Sequence, residues 1–290
     1  MRLRTHYWPA LALAFSWSVG SSPALAQLAV QPLFLDVAPG QSAAIRARNT
    51  SDKPMTLELL AARRHVDRSG NQTRTDADND FILIPPQAVV PPQGSQVFRL
   101  QPLPNADKDS RSYFVTVKQL PVKLDDIPGG GAQLQIVFAF DVAVHVVPDG
   151  SEAHPELVSA SPSTMMVDAE QPDKAPADAP ASDAKSPAID AAPAPAAKPA
   201  PKQVEVPAVD IVLKNSGTKY LYLQNLDFVA KGVDTSGKNV NIPEWDSTAI
   251  VNAAGVTLVE PGAEREFKLP LRNVPALRSV QIEIHQRPQI

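Results

Sequence analysis

The sequence predicts an all-β protein made of two β-sandwich domains in tandem. Short runs of β-branched and aromatic residues alternate with polar ones, and Pro- or Gly-containing turns separate the runs. The 290 residues suit two domains of ordinary size. Because the chain contains no Cys, apolar burial alone must hold both cores, and thiolate chemistry is excluded.

Residues 1–26 have the features of a secretory signal peptide. Arg2 and Arg4 precede the apolar run 9–19, and the small-residue sequence Ala24-Leu25-Ala26 ends the segment. We predict cleavage after Ala26 and export to the periplasm. The apolar run is shorter than the roughly 18 residues that a spanning helix needs, so we expect a protein that is not membrane-embedded.

The first domain is predicted over residues 27–148. Turn signals such as Pro39-Gly40, Pro91 to Gly94 and Gly129 to Gly131 punctuate it. About seven short strands in about 120 residues are typical of an immunoglobulin-like sandwich. The predicted strands are 28–37, 43–49, 54–62, 80–84, 95–101, 111–120 and 132–147.

The second domain is predicted over residues 149–290, after a hinge at Pro148-Asp149-Gly150. Its further strands are predicted at 208–215, 219–229, 237–242, 256–260, 263–271 and 279–286. Residues 168–207 contain 13 Ala and 9 Pro among 40 positions and few large apolar groups. This composition predicts a disordered insertion after the first strand of the second domain, which the logarithmic cost of loop closure tolerates.

The last strand of the first domain, residues 133–147, is unusually long. At about 3.4 Å per residue it would extend roughly 50 Å, far beyond a typical strand. Leu134, Ile136, Phe138 and Phe140 begin an apolar face that continues to Val146. Such a strand is either an ordinary core strand or an edge to which a partner adds a strand.

The order of these features resembles the periplasmic pilus-assembly chaperones of the chaperone/usher pathway. The resemblance implies two immunoglobulin-like domains and a long final strand in the first. The matching stretches are 30–41, 48–50, 85–86, 92–100, 113–121, 133–148, 214–220 and 258–262.

The resemblance also implies a mechanism. A pilus subunit lacks one strand, and the chaperone lends alternate apolar side chains from its long strand until a replacement arrives. Here Leu134, Ile136, Phe138 and Phe140 map onto that donor role. The implied partners are pilus or fimbrial subunits and an outer-membrane usher, with no cofactor and no ATP.

The sequence departs from the family at the site that anchors the subunit's terminal carboxylate. The family uses an Arg on the first strand and a Lys on the long strand, whereas Phe34 (or Leu33, if the register slips by one) and Ala143 stand here. Asp141 on the same face would repel a carboxylate. Substitute cations are a protonated His145 and, from elsewhere, Arg46, Arg48 or Lys118.

A further position carried over from the family concerns the contact between domains. Arg99 matches a residue that joins an interdomain ion pair, although no acidic partner is evident in the sequence. A solvated strand charge explains Arg99 equally well.

Other function classes have little support. The net charge of −4 argues against a nucleic-acid partner. Asp76, Asp78 and Asp80 imitate the start of a calcium loop, but Phe81 and Gln87 replace its Gly and Glu, so no metal site is expected. The scattered histidines form no catalytic motif, and we expect no enzyme.

The sequence therefore predicts a periplasmic chaperone that binds pilus or fimbrial subunits through strand 133–147 and delivers them to an usher. The alternative is a secreted structural or adhesive β-sandwich component of a surface fibre. A hydrolase or metalloenzyme would require a clustered polar site in the fold.

Overall fold

The structure is a computed structural model that describes residues 27–104, 107–121, 136–168 and 203–287. Strands dominate this part of the chain and form two β-sandwiches, which confirms the predicted fold class. The signal peptide, Leu134 and residues 169–202 of the Ala/Pro tract lie outside the described residues. Among the described residues, no helix combines the length and the hydrophobicity that crossing a membrane requires.

The first sandwich consists of two sheets. One has the order β1-β3-β8-β6, and the other has the order β2-β10-β9-β4-β5 with β7 also paired to β4. The strands are β1 (Leu28–Gln31), β2 (Phe34–Val37), β3 (Ala43–Asn49), β4 (Met55–Val66), β5 (Gln72–Asp76), β6 (Phe81–Ile84), β7 (Gln87–Val90), β8 (Ser95–Pro102), β9 (Arg111–Gln119) and β10 (Ala139–Val146).

The first core lies between these sheets because alternate residues of each strand point inward. Ile45, Leu57, Phe98, Val115 and Val144 are fully buried there. Their neighbours along the strands are mostly exposed or half-buried, so the sequence alternation is the pattern that a two-sheet sandwich requires.

The second sandwich contains sheets of order β11-β12-β17, β13-β16 and β15-β14-β18 around a separate core. Its elements are β11 (Pro155–Asp168), β12 (Gln203–Asn215), β13 (Leu221–Tyr222), β14 (Leu226–Asp234), β15 (Asn239–Asn241), α1 (Ser247–Ala254), β16 (Leu258–Val259), β17 (Glu264–Pro270) and β18 (Leu277–Gln286). Short 3₁₀ turns occupy Asp78–Asp80 and Leu223–Asn225.

The Ala/Pro tract is inserted between two paired strands. β11 and β12 are antiparallel, and their pairing extends from Pro155 opposite Asn215 to Asp168 opposite Gln203. The structure therefore places the tract between the first and second strands of the second sandwich.

Several elements differ from the sequence prediction. The predicted strand 28–37 is two strands, because the chain leaves β1, which pairs with β3, and then joins β10 as β2. The strands β5 and β7 and the helix α1 were not predicted. The helix is only eight residues long, and its N-cap Asp246 accepts a hydrogen bond from the Ala249 amide at 2.6 Å.

Strand β4 also continues beyond its predicted end at residue 62. Arg63, Arg64 and His65 interrupt the apolar alternation, yet the strand runs to Val66. The second sandwich covers this end of β4, since Val66 packs against Tyr220 and Leu258. Contact with the second sandwich thus explains why the strand continues through Arg63, Arg64 and His65.

Candidate functional site

The strand β10 has one edge that is only half covered. It pairs with β9 along its whole length, from Ala139 opposite Lys118 to Val146 opposite Arg111. Its other edge pairs with β2 only from Ala143 onward. The amide of Ala143 donates to the Leu33 carbonyl at 2.9 Å, and among the described residues no strand pairs with this edge at positions 139–142.

The predicted donor strand is shorter than expected in the described part of the chain. β10 begins at Ala139, and the Gln119 amide donates to the Phe138 carbonyl at 2.8 Å, so backbone pairing reaches residue 138. Leu134 lies outside the described residues. Ile136 is 63% exposed, whereas Phe138 and Phe140 are half-buried against the first core. The open edge therefore carries apolar side chains that are available to a partner to different degrees.

The two positions at which the cations are missing lie side by side. Phe34 on β2 is directly opposite Ala143 on β10. The Phe34 side chain is 47% exposed, and its ring centroid lies 5.2 Å from that of His145 and 6.3 Å from that of Tyr222. At the cleft between the sandwiches, an aromatic surface thus stands where the resemblance expects positive charge.

His145 is a buried connection between the two sandwiches. Its Nδ1 lies 2.8 Å from Ser112 Oγ, its Nε2 lies 2.9 Å from Tyr222 Oη, and its ring stacks on Tyr220 at 3.7 Å. Burial, with smaller contributions from the positive charges of Arg64 and Lys219, lowers the pKa of His145 to about 3. The imidazole is therefore neutral at neutral pH, so the structure argues against His145 as the substitute cation.

Tyr220 joins the second sandwich to β2. Its hydroxyl donates to Asp36 Oδ1 at 2.7 Å, and Lys219 Nζ lies 3.6 Å from Asp36 Oδ2. Burial and then the hydrogen bond to Asp36 raise the pKa of Tyr220 well above its usual value. The phenol stays protonated and can keep donating this bond.

Arg64 brings a positive charge to the cleft that the sequence analysis did not anticipate. Only 8% of the residue is exposed, and its Nε donates to Gln72 Oε1 at 2.8 Å. Its guanidinium lies 4.8 Å from the Phe114 ring centroid, and its charge opposes the rise in the pKa of Tyr222 that burial causes. Among the described residues, no carboxylate forms an ion pair with Arg64.

The sequence contained one signal for Arg64. The residue occupies an outward position of the apolar strand β4, opposite Arg74 on β5. Recognising it required knowing that β4 extends past residue 62. Pairing places its neighbour Arg63 opposite Tyr113 on β9, next to Ser112, which lies opposite His145 on β10.

Asp141 does not present an unpaired negative charge. Arg74 Nη2 lies 2.7 Å from Asp141 Oδ2, and the Thr116 hydroxyl donates to Asp141 Oδ1 at 2.6 Å. Burial raises the pKa of Asp141, but these hydrogen bonds and the charge of Arg74 outweigh it and lower the pKa. The carboxylate is ionised and neutralised by Arg74, which weakens the repulsion expected from the sequence.

The other predicted cations lie away from the cleft. Arg46 and Arg48 are exposed on β3, in the opposite sheet, and Lys118 is exposed on β9 opposite Ala139. Arg99 is exposed on β8, between Ala44 and Ile84, and among the described residues it forms no ion pair. The structure thus gives no support for Arg99 as an interdomain ion pair.

Different ion pairs connect the sandwiches. Arg68, in the turn after β4, lies 3.1 Å from Glu264 and 3.2 Å from Glu266. His65 lies 3.7 Å from Glu260. Because these groups are partly exposed, each pair contributes little individually, and the contact is better explained by the buried groups around it.

Arg265 is one of those buried groups. It is 1% exposed, and its guanidinium donates to the carbonyls of Asp67 and Arg68 in the first sandwich at 3.3 and 2.9 Å. It also donates to Ala254 and Val256 in the second at 3.2 and 2.5 Å. Arg265 therefore ties the β4–β5 turn to the second sandwich.

The acidic turn has a structural role. Asp78 Oδ1 accepts from the Ala61 amide at 2.6 Å, Asp76 Oδ1 accepts from the Asp78 amide at 3.0 Å, and Asp80 Oδ2 accepts from the Tyr113 hydroxyl at 2.8 Å. Within the described ranges, no group of three His, Cys, Asp or Glu residues has a metal-binding arrangement.

Comparison with known families assigns the first sandwich. Residues 34–152 match the family described as pili and flagellar-assembly chaperone, PapD N-terminal domain. Over these residues the first sandwich matches a PapD-type chaperone domain. This confirms, for these residues, the resemblance to pilus-assembly chaperones found in the sequence.

Solved structures with a similar layout include three fimbrial systems. The class 5 fimbriae chaperone CfaA is 12% identical, with 91% of this chain and 100% of that chain covered and a TM-score of 0.49. The complex of Salmonella enterica SafA pilin with the SafB chaperone is 11% identical. The match covers 91% of this chain and 99% of that chain, with a TM-score of 0.46. The Pseudomonas aeruginosa CupB2 chaperone is 11% identical. The match covers 90% of this chain and 100% of that chain, with a TM-score of 0.39. No curated protein matches the sequence significantly.

Proposed function

We propose that this PapD-type protein is a periplasmic chaperone that binds pilus or fimbrial subunits by donating the open edge of β10. The observation that carries this proposal is the partial cover of β10, which β2 protects only from Ala143 onward. The predicted signal peptide supports export to the periplasm.

The backbone of this edge can form a strand ladder with a subunit. An uncovered strand edge presents N–H and C=O groups that pair readily with an added strand. Ile136, Phe138 and Phe140 lie on or just before this edge, and Leu134 continues their alternation in the sequence. Burying each large side chain in a subunit groove would contribute about 1.5–3 kcal/mol before association costs.

We also propose that Arg64 anchors the subunit's terminal carboxylate. Two acidic groups beside β10 already have cationic partners, Lys219 for Asp36 and Arg74 for Asp141. Arg64 remains a cation in a partly dry site without a carboxylate of its own. A charge in this setting gains most from an incoming anion, because the dielectric is low and the guanidinium is held in place.

A second, apolar surface supports the proposed delivery to an outer-membrane usher. On the outer face of the β1-β3-β8-β6 sheet, Ile82, Ile84 and Val97 are 43%, 58% and 39% exposed. This face is distant in the sheet topology from the β10 edge, so a second protein can dock while the subunit stays bound. No nucleotide is required, since a better-fitting strand can drive exchange.

The test is co-purification of the exported protein with candidate subunits and an usher, comparing wild type with the double variant Ile136→Asp and Phe138→Asp. We expect a stoichiometric subunit complex with wild type and none with the folded double variant, because charges at the donor edge oppose groove burial. The matched control is Ile84→Asp, which should keep the subunit and lose the usher.

A different result favours the alternative function. If the double variant captures the subunit as well as wild type does, the proposed strand donation by this edge is wrong. Retention of the protein in isolated surface fibres would then indicate a structural or adhesive component.

A further inference from the structure

The contacts between the two sandwiches involve different strands. One contact is the aromatic cluster beside β10, in which His145 stacks on Tyr220, just before β13. Another is made by the turn between β4 and β5, residues 67–71, which packs against Arg265 on β17. Either contact alone would allow one sandwich to rotate about it. Two contacts on different strands oppose that rotation, so the turn 67–71 can help to fix the angle between the sandwiches.

The turn 67–71 is bound to the second sandwich through backbone groups. The Glu266 amide donates to the Arg68 carbonyl at 2.8 Å, and the Arg265 guanidinium donates to the carbonyls of Asp67 and Arg68. The turn and β17 hold these backbone groups in place, whereas long exposed side chains that pair with each other remain adaptable. The turn 67–71 and Arg265 together form a latch between the sandwiches.

Gly70 is the residue that allows this close contact. Its φ is +91°, a backbone conformation that favours glycine, and its amide donates to the Asp67 carbonyl at 3.0 Å. A Cβ atom at this position would lie 2.5 Å from Arg265 Nη2 and 2.9 Å from Arg265 Cζ. The Arg265 guanidinium is bonded to four carbonyls, so it cannot move aside without losing them. A side chain at residue 70 would therefore push the turn away from the second sandwich.

The second sandwich borders the open edge of β10. Along this edge, the uncovered positions 139–142 are followed directly by β2, which begins at Phe34 opposite Ala143. The Phe34 ring centroid lies 6.3 Å from that of Tyr222, which belongs to the second sandwich. A partner strand on the open edge therefore extends towards the second sandwich. The position of that sandwich determines how much room the partner has.

We propose that Gly70 and Arg265 position the second sandwich for subunit capture by fixing its angle to the first. This inference rests on the proposed strand donation, and it assigns the angle to a contact that lies outside the donor edge, since β9 separates β4 from β10. A fixed angle favours binding because the unbound protein then has less freedom to lose when the subunit arrives.

The absence of Cys from the chain allows the angle to be measured with two introduced labels. Spin labels on Ser95→Cys in β8 and Ser279→Cys in β18, both at exposed positions, report the distance between the sandwiches by pulsed electron paramagnetic resonance. We expect one narrow distance distribution for the labelled mature protein. Adding Gly70→Ala should replace it with a broad distribution, because the latch no longer closes.

Gly237→Ala is the matched control for Gly70→Ala. Gly237 also has a positive φ, +89°, in the turn between β14 and β15, but a Cβ atom there would meet nothing within 4 Å. This substitution introduces a similar backbone strain without displacing a contact between the sandwiches, so the distance distribution should stay narrow. Arg265→Lys keeps the charge but lacks the planar guanidinium with its five donors, so it should broaden the distribution as Gly70→Ala does.

Subunit capture is measured with the same variants, using the subunit that co-purifies with wild type. We expect Gly70→Ala to weaken its binding about tenfold, although every residue of the donor edge is unchanged. Gly237→Ala should bind the subunit as wild type does. Urea denaturation establishes that each variant is folded under the conditions of the assay. If Gly70→Ala does not fold, Arg265→Lys provides the same comparison.

The outcomes separate this inference from the proposed function. A narrow, unchanged distribution in folded Gly70→Ala and Arg265→Lys would show that the latch does not fix the angle. A broad distribution with wild-type capture would show that the angle does not control capture. If the Ile136→Asp and Phe138→Asp double variant captures the subunit as wild type does, strand donation is wrong, and the distance measurement still decides whether the latch fixes the angle.

Discussion

Two buried arginines at the junction of the sandwiches have different surroundings. Arg265 is 1% exposed and donates to four backbone carbonyls, two from each sandwich. Arg64 is 8% exposed, donates to the amide oxygen of Gln72 and lies over the Phe114 ring. Neither forms an ion pair with a carboxylate among the described residues.

The difference separates a structural role from a binding role. The carbonyls around Arg265 are fixed by the fold and leave no access for a ligand, so its guanidinium stabilises the contact between the sandwiches. Arg64 lies beside the cleft with fewer and more adaptable partners. A buried charge without a counter-ion is costly, and an incoming carboxylate would relieve that cost.

The largest effect is expected when Arg265 is replaced. Arg265→Met leaves carbonyls of the β4–β5 turn and of the segment after α1 without their donor, so we expect the free energy of unfolding to fall by about 3 kcal/mol or more. Urea denaturation measures this change.

Arg64→Met is the matched control for that measurement. It removes a buried charge that has no carboxylate partner, so the free energy of unfolding should change by no more than about 1 kcal/mol. If Arg64→Met destabilises the protein as much as Arg265→Met, the distinction between the two arginines is wrong.

The second effect depends on pH and concerns His145, at the contact between the sandwiches. The pKa of His145 is about 3 in the folded protein and has its ordinary value of 6.5 in the unfolded chain. Below pH 6.5 the unfolded chain therefore binds a proton at this residue, and the folded chain does not. Stability should therefore fall as the pH decreases from about 6.5 towards 3. The loss from this group at pH 5 is about 2 kcal/mol.

Urea denaturation at pH 7.5 and pH 5 checks this prediction. His145→Gln removes the titrating group and should flatten the dependence over this range, whereas His285→Gln, at an exposed position of β18, should retain the wild-type dependence. An unchanged dependence in His145→Gln would show that other groups control the interface.

The smallest effect is expected at Arg99. Its side chain is exposed on β8, so Arg99→Gln should alter the free energy of unfolding by less than about 0.5 kcal/mol. It should also leave the pH dependence unchanged. A loss comparable to that of Arg265→Met would restore Arg99 to the interdomain contact that the family resemblance suggested.

Much of the fold followed from local patterns. Alternating apolar residues and Pro- or Gly-containing turns predicted most strands of the first sandwich. The elements that were missed are short, such as β5, β7 and α1, or depend on distant contacts, such as the last residues of β4. Local signals are weakest where few residues repeat a pattern or where another domain provides the burial.

The candidate site was only partly accessible from the sequence. The family resemblance assigned Phe34 and Ala143 to one anchor site, and the structure pairs these two residues directly. The sequence also offered a protonated His145 as a substitute cation, but the pKa of His145 depends on burial by Tyr220 and Tyr222 from the second sandwich. Arg64 was not predicted as a site residue because the predicted strand 54–62 ends two residues before it.

The sequence by itself determined that the chain forms strands, that it builds two apolar cores without disulfides, and where the Ala/Pro tract lies. Periodicity and composition act locally, so they can be read along the chain. The tertiary structure alone decided which edge of β10 stays open, which arginine lacks a carboxylate and which histidine stays neutral. Those properties depend on pairing, burial and charge contributed by residues far apart in the sequence.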